Sequence, residues 1–429
     1  MKKINKPQKE DWDTLLKRPT QTVGDIEGQV STIFREVKQD GDAALAKYTY
    51  KFDNVLVDGL QVTQQEIRDA TNLVSADLKK AIGVAKGNIE KFHRAQLTAK
   101  VAVETMEGVS CWQEKRPIQK IGLYIPGGTA PLFSTTLMLA VPAIIAGCKE
   151  IVLCSPPNTE GKIHPAILFT ANLCGITRIY KVGGIQAIAA MTFGTESVPM
   201  VYKIFGPGNQ YVTVAKQIAT KYGVAIDMPA GPSELLVMAD DTAEASFVAS
   251  DLLSQAEHGT DSQVVLVSTS KKLIDEVSEQ IALQIEELPR KDIAKKAIAN
   301  SKLIYVENDN TAVALINEYA PEHYIVCVKN EDFYLDNVAN AGSVFVGNYT
   351  PESAGDYASG TNHTLPTNGY AKQYSGVNLD SYMKNITFQK ISKKGIQQIG
   401  KTIELMAEAE GLQAHKNAVT LRLKSLEKK

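Results

Sequence analysis

The sequence predicts an α/β protein built from two units of mostly parallel sheet, on three observations. From Ile121 onward, short β-rich runs ending in Gly or Pro alternate with helical segments, the pattern of parallel βαβ units. A second series of the same kind begins at Gln263. At 429 residues the chain is also too long for one compact core, so two or more domains are expected.

In chain order, residues 1–20 are charged and read as an arm or short helix. Val23 to Tyr48 and Thr63 to His93 carry apolar residues at three- and four-residue spacings and read as helices. A strand-rich piece spans Val101–Trp112. The first alternating series follows: IGLYIPGG, EIVLCSPP, RIYKVGG, MVYKIFGPGN and ELLVMAD. Its helices are expected at Ser134–Gly147, His164–Cys174, Ile185–Phe193 and Gln210–Tyr222. The second series holds strands at 263–268, 303–308, 323–328 and 343–348. Two helices divided by Gly411 form the tail, which ends in a basic LRLKSLEKK.

Composition is ordinary for a soluble globular chain, 44% hydrophobic and 22% charged. A net charge of -2 offers no basic footprint for nucleic acid and no polybasic membrane patch. Cys111, Cys148, Cys154, Cys174 and Cys327 show no CxxC pairing, which fits buried thiols in a reducing compartment. The amino terminus, MKKINKPQKEDW, lacks the apolar region of a secretory signal. The longest apolar run, Leu137–Cys148, is too short to span a bilayer. A cytoplasmic location is expected.

Candidate chemistry starts at Asp241–Asp261. Asp241 and Glu244 resemble a helix-capping pattern, and Gly259 is a natural stop. Gln255 and His258 would then project from one side of the last turn, able to hold a metal ion or a polar ligand. The same histidine also suits a helix C-terminus as a dipole partner. Glu322-His323 opens a strand, and a carboxylate beside an imidazole suits general acid–base work as readily as a surface pair. Asp356 and His363 belong to a polar Gly-, Ser- and Thr-rich stretch, and His415 follows Glu410 and the Gly411 break. His93 and His164 are expected in surface or satisfied core roles. Gln255, His258, Asp356 and His415 together form an N/O donor set suited to zinc or a similar divalent metal rather than calcium, although no spacing rule links them. The Gly-rich turns Gly127-Gly128, Gly183-Gly184 and Gly206-Pro207-Gly208-Asn209 fall at carboxyl ends of strands, where ligands collect in doubly wound sheets. No GxGxxG occurs there. The glycines permit close approach of a phosphate or simply tight turns.

Several long motifs resemble the histidinol dehydrogenase family: SQAEHGTDSQ, AGPSELLV, YAPEHY, GDYASGTNHTLPT, AEAEGLQAH, YIPGGTAPLFSTTLMLAVPA, VGGIQAIAAMTFGTESVP and IFGPGNQYVT. The similarity runs in register from about residue 20 to 420. It implies two Rossmann-like domains with incomplete, mostly parallel sheets, an N-terminal helical arm and a C-terminal helical tail. The implied divisions are 1–20 as arm, 21–120 with 233–375 as the zinc and substrate domain, 121–232 as the NAD domain, and 376–429 as a dimerisation tail. It further implies one zinc per subunit on Gln255, His258, Asp356 and His415, and an acid–base pair of Glu322 and His323. Implied substrate contacts are Ser233, Gln255, His258, His323, Asp356, His363, Glu410 and His415; NAD contacts are Tyr124, Gln186 and Asn209. The implied reaction is the four-electron oxidation of L-histidinol to L-histidine with two NAD, by a homodimer with intertwined tails. A zinc hydrolase using Glu322, and a non-catalytic small-molecule binder with a structural zinc, are the other readings of the donor set.

Overall fold

A computed structural model describes residues 1–19, 23–127 and 131–427; Gly128 of the first Gly-rich turn lies outside the described residues. Two compact units partition the chain: Met1–Gln96 with Ile118–Ser381, and Leu97–Pro117 with Tyr382–Lys429.

The first unit holds two parallel sheets. One has five strands, in spatial order Arg178–Lys181, Glu150–Ser155, Lys120–Tyr124, Lys203–Phe205 and Ala225–Ile226. The other has six: Lys2–Asn5, Lys302–Tyr305, Gln263–Ser268, Glu234–Ala239, His323–Cys327 and Ser343–Val346. Lys2–Asn5 apart, the chain enters each sheet near the middle, steps outward on one side, then returns to build the other, so each has the switch point of a doubly wound sheet. Both faces of the six-stranded sheet are covered, which is why its strands read as unbroken apolar runs. Leu235, Val237 and Ala239 pack with Val248, Leu252 and Val277 on one face. Leu236 and Met238 pack with Trp12, Leu16 and Leu315 on the other. The period of two in ELLVMA thus feeds two separate cores.

Helix boundaries depart from expectation where local chemistry breaks a periodic run. Val23–Asp40 and Asp42–Asp53 are two helices, parted at Gly41, whose φ of +51° a side chain rarely adopts. Gln64–Leu73 opens with a Thr63/Glu66 capping box, and Ser75 caps a separate Ala76–Arg94 helix. The charged amino-terminal stretch, expected as a helical arm, needs correcting. Lys2–Asn5 pairs in parallel with Lys302–Tyr305 as an edge strand, followed by a single helical turn at Trp12–Leu15. An edge strand has no flanking partner on one side, so KKIN carries no apolar run to announce it.

The second unit is a three-stranded antiparallel sheet, Val101–Met106, Val109–Pro117 and Met383–Ile391, with the Lys393–Ala409 and Gln413–Glu427 helices. Trp112 and Phe388 stack across it at 5.3 Å.

In the five-stranded sheet a buried ion pair fixes one Gly-rich turn. Lys216 and Asp227 are paired with side chains 2% and 0% exposed. Lys216 Nζ donates to the Gly206 carbonyl at 2.8 Å, and the Gly206 N–H donates to Asp227 at 2.8 Å. Gly206 itself has φ +137°, and a Cβ there would sit 2.2 Å from the Tyr124 carbonyl oxygen. Removing one member of a buried pair strands the other. Lys216→Met is therefore expected to lower unfolding free energy by about 3–5 kcal/mol, measured by urea denaturation; a loss near zero contradicts the clamp.

Candidate active site

The six-stranded sheet is parallel, so a helix that follows a strand runs back against it and ends at the amino edge. The Ala245–Ala256 helix does this. Its cap is Glu244, which accepts from Ser246 N, and not the earlier Asp241. Its final turn brings Gln255 beside Glu234, the first residue of its strand, and His323, the first of the next.

Gln255, Glu322 and His323 are buried. The Glu234 N–H donates to Glu322 Oε2 at 2.8 Å, and Gln255 Nε2 donates to the Glu234 carbonyl at 3.2 Å. His323 Nδ1 lies 3.1 Å from that carbonyl and 3.5 Å from Glu322 Oε2. A carbonyl can only accept, so Nδ1 carries the proton and Nε2 is the atom that faces Asp356, 3.4 Å away. Neither His323 Nε2 nor Gln255 Oε1 has a hydrogen-bond partner among the described residues, although both are buried. Such orphans are uncommon and signal an absent ligand.

Burial opposes charge on His323, but the carboxylates of Glu322, Glu352 and Asp356 overcome it and hold its pKa well above the ordinary range. Burial pushes the Glu322 carboxyl up. It works in the same direction on Asp356, where the His323 contact prevails and holds the carboxyl low. Glu352, which sequence reasoning missed, is buried, and burial together with its acidic neighbours raises its pKa. One donor atom each from His258, Glu352 and Asp356 lie within 4.8 Å of one another. Glu352 and Asp356 are four apart on the Glu352–Tyr357 helix, and that spacing on one face was the available signal.

His363 Nδ1 donates to the Asp356 carbonyl at 2.8 Å, and its Nε2 meets Thr135 Oγ1 at 3.1 Å. Ser233 immediately precedes Glu234 and is half-buried. Of the expected metal donors, His258 and Asp356 share the cluster with Glu352, and Gln255 meets the His323 ring whose other nitrogen faces Asp356. Glu410 and His415 belong to the second unit, the former capping the Lys393–Ala409 helix and the latter exposed in the first turn of the last one. His93 is a satisfied core residue bonded to the Ile89 carbonyl at 2.8 Å.

A second feature lies at the carboxyl edge of the five-stranded sheet, a cavity of about 780 Å³. Tyr124, Gln186 and Asn209 all line it. The Tyr124 hydroxyl accepts from Gly184 N at 3.1 Å, and Asn209 caps the following helix through Val212 N. Gln186 is wholly buried, and neither atom of its amide has a partner among the described residues. His164 and Asp53 line the same cavity without having been singled out for it.

A cavity of this kind at a switch point, in a chain that also buries an acid–imidazole pair, fits an α/β enzyme. The overall fold is shared with an acetylating aldehyde dehydrogenase from Geobacillus thermoglucosidasius at a TM-score of 0.50 and 12% identity, covering 89% of this chain and 94% of that one. A family model described as histidinol dehydrogenase matches residues 16–423. A histidinol dehydrogenase from Bacteroides thetaiotaomicron is 60% identical over 426 residues, 99% of this chain and 100% of the relative. One from Campylobacter jejuni is 53% identical over 99% of this chain and 98% of its own. The crystal structure of histidinol dehydrogenase from Elizabethkingia anophelis superposes with a TM-score of 0.97 at 57% identity, covering 100% of this chain and 99% of that one. The chain belongs to the histidinol dehydrogenase family and is an oxidoreductase, which sets aside the hydrolase and non-catalytic readings. None of the described helices is long and apolar enough to cross a membrane.

Burial raises the Asp53 carboxyl to about 6 from its ordinary 3.8, and its Oδ2 has no partner among the described residues. A raised folded-state pKa means the protonated form favours folding. That contribution is present below pH 3.8 and is lost as pH rises through about 6. Asp53→Asn should abolish the loss and stabilise the protein at neutral pH by about 1–2 kcal/mol, discounted for partial exposure. Denaturant midpoints on either side of that pH window test it; identical pH dependence in both proteins refutes it.

Proposed function

We propose that this protein oxidises L-histidinol to L-histidine through L-histidinal, the last steps of histidine biosynthesis, using two NAD and one zinc per subunit. The observation that carries the reading is the convergence of the Glu322–His323 pair with the orphaned Gln255 Oε1, in a chain of this family. The donor set fits zinc: an amide oxygen, an imidazole and a carboxylate from Gln255, His258 and Asp356, with His415 as the fourth. His415 and Glu410 are assigned to the neighbouring site of a homodimer with intertwined tails. Tyr124, Gln186 and Asn209 are assigned to NAD, and Ser233, His363 and Glu410 to the substrate alongside the metal donors and His323. A cytoplasmic location is part of the same proposal.

Zinc, when bound, supplies a fixed positive charge that orients the substrate's imidazole and amine and neutralises Asp356, easing the pull that keeps His323 protonated. NAD, held by Tyr124, Gln186 and Asn209, would supply the hydride acceptor for each half-reaction. His323 Nε2 takes the alcohol proton as the first hydride leaves, giving the aldehyde. Glu322 takes a proton from water as the oxygen adds to the aldehyde carbon. The hydrate then loses a proton and the second hydride, leaving the carboxylate. Across both steps, one alcohol, one water and two NAD yield one carboxylate, two NADH and three protons. Glu322 is suited to its role because burial raises its proton affinity towards neutral pH.

Absorbance at 340 nm tests the reading directly. Two NADH per histidinol are expected, and none after a chelator has removed the metal; a yield of one, or indifference to chelation, contradicts it. Glu322→Gln keeps the shape of the side chain but not its basicity. It should slow aldehyde oxidation by about 10²–10⁴-fold while sparing alcohol oxidation. Stopped-flow measurement with histidinol and with histidinal separates the two, and equal losses exclude this division of roles.

A further inference from the structure

We propose that Arg18 is a positioning residue for the acid–base pair: by clamping Glu234 it fixes the one piece of backbone that holds both Glu322 and His323. This rests on the assignment of Glu322 and His323 as the reacting acid and base.

Arg18 follows two residues of the amino-terminal segment, Trp12 and Leu16, that are sunk into the face of the six-stranded sheet. The segment is tied further by Gln263, whose Nε2 donates to the Lys17 carbonyl at 3.2 Å. From there the guanidinium reaches Glu234 in a fork, Nε to Oε1 at 3.0 Å and Nη2 to Oε2 at 2.9 Å. Nη2 also donates to the Tyr319 carbonyl at 2.5 Å, and the guanidinium carbon lies 3.9 Å over the Tyr319 ring. The Glu234 and Arg18 side chains are 2% and 12% exposed. A planar fork matched to a carboxylate, stacked on an aromatic face, sets orientation as well as charge. Asn368 N donates to Glu234 Oε1 at 2.7 Å, so the carboxylate is held from two directions.

What Glu234 does with this rigidity is done through its main chain. Its N–H donates to Glu322 Oε2, and its carbonyl receives His323 Nδ1 and Gln255 Nε2. A rotation of this one residue would shift the acid, the base and a metal donor together. Arg18 also neutralises a carboxylate that otherwise adds a second negative charge beside Glu322. No other charged group is bonded to the Glu234 carboxylate among the described residues.

The test uses the full-length metal-loaded enzyme with Arg18→Met, Arg18→Lys and Glu234→Gln, at saturating NAD and well below each variant's unfolding temperature. Misplacement of reacting groups by about 1 Å costs on the order of 100-fold. Arg18→Met is therefore expected to lower kcat for histidinol and for histidinal oxidation by a similar factor, about 10–100-fold, with KM for NAD within about two-fold. Equal loss in the two half-reactions distinguishes it from Glu322→Gln. Arg18→Lys restores the charge without the fork and should recover only part of kcat. If Arg18→Met does not fold, Glu234→Gln carries the same expectation, because it keeps the size of the side chain and removes the ion pair. Retention of kcat within about two-fold in the folded variants overturns the inference, as does a defect confined to thermal stability or to KM for NAD. A wild-type enzyme that makes no NADH from histidinol overturns the functional reading and this inference with it.

Discussion

The amino edge of the six-stranded sheet concentrates buried charge, and the surrounding structure is arranged to tolerate it. Glu234, Glu322, Glu352 and Asp356 gather about the His323 imidazole. Each isolated charge taken from water costs several kcal/mol unless it is matched. Glu234 has Arg18, Glu322 has a backbone N–H and the imidazole, and Asp356 has the same imidazole with those of His363 and His258 nearby. Glu352 has the Ser254 hydroxyl at 3.1 Å and only a distant imidazole, His323 Nδ1 at 3.9 Å, so burial prevails and its pKa rises. The arrangement is possible because parallel pairing returns the Ala245–Ala256 helix to this edge, so strand starts and a helix end meet in a small volume.

The two ligand places differ in the physics that makes them. The charged cluster depends on side chains brought together over long sequence distances. The cavity depends on backbone geometry at strand ends, where the Lys216–Asp227 pair pins both polar groups of Gly206. Side-chain hydrogen bonds between the two series include Thr135 to His363, Asn362 Nδ2 to the Met138 carbonyl at 2.6 Å, and Gln210 Nε2 to Asp261 Oδ2 at 3.3 Å.

Local pattern was legible wherever burial was two-sided or a turn demanded glycine. QVVLVS and ELLVMA announce interior strands, and the turns after RIYKV and MVYKIF announce the cavity rim. Gln255 was legible as part of a helix end marked by a capping pattern and a Gly stop, whereas His258 lies just past that helix, which ends at Ala256. The Lys2–Asn5 strand was not legible, since its only partner lies about 300 residues away and one flank is open. Arg18 and Glu352 were missed for a related reason: a lone arginine after an amphipathic turn, or a glutamate in a first helical turn, is ordinary surface chemistry until the fold supplies its neighbour. Resemblance, rather than spacing, pointed to His415, because no local rule obliges a histidine there.

The pairing of Lys2–Asn5 with Lys302–Tyr305 has a consequence for biogenesis. A ribosome emits this strand long before its docking site, which lies 300 residues further along the chain. Loop-closure entropy must be met before such a contact forms. Arg18 shares the delay, since Glu234 is 216 residues downstream. The nascent polypeptide therefore completes much of its hydrophobic interior before its reactive centre can close, and an amino-terminal fusion partner would hang from the last seam to be sewn.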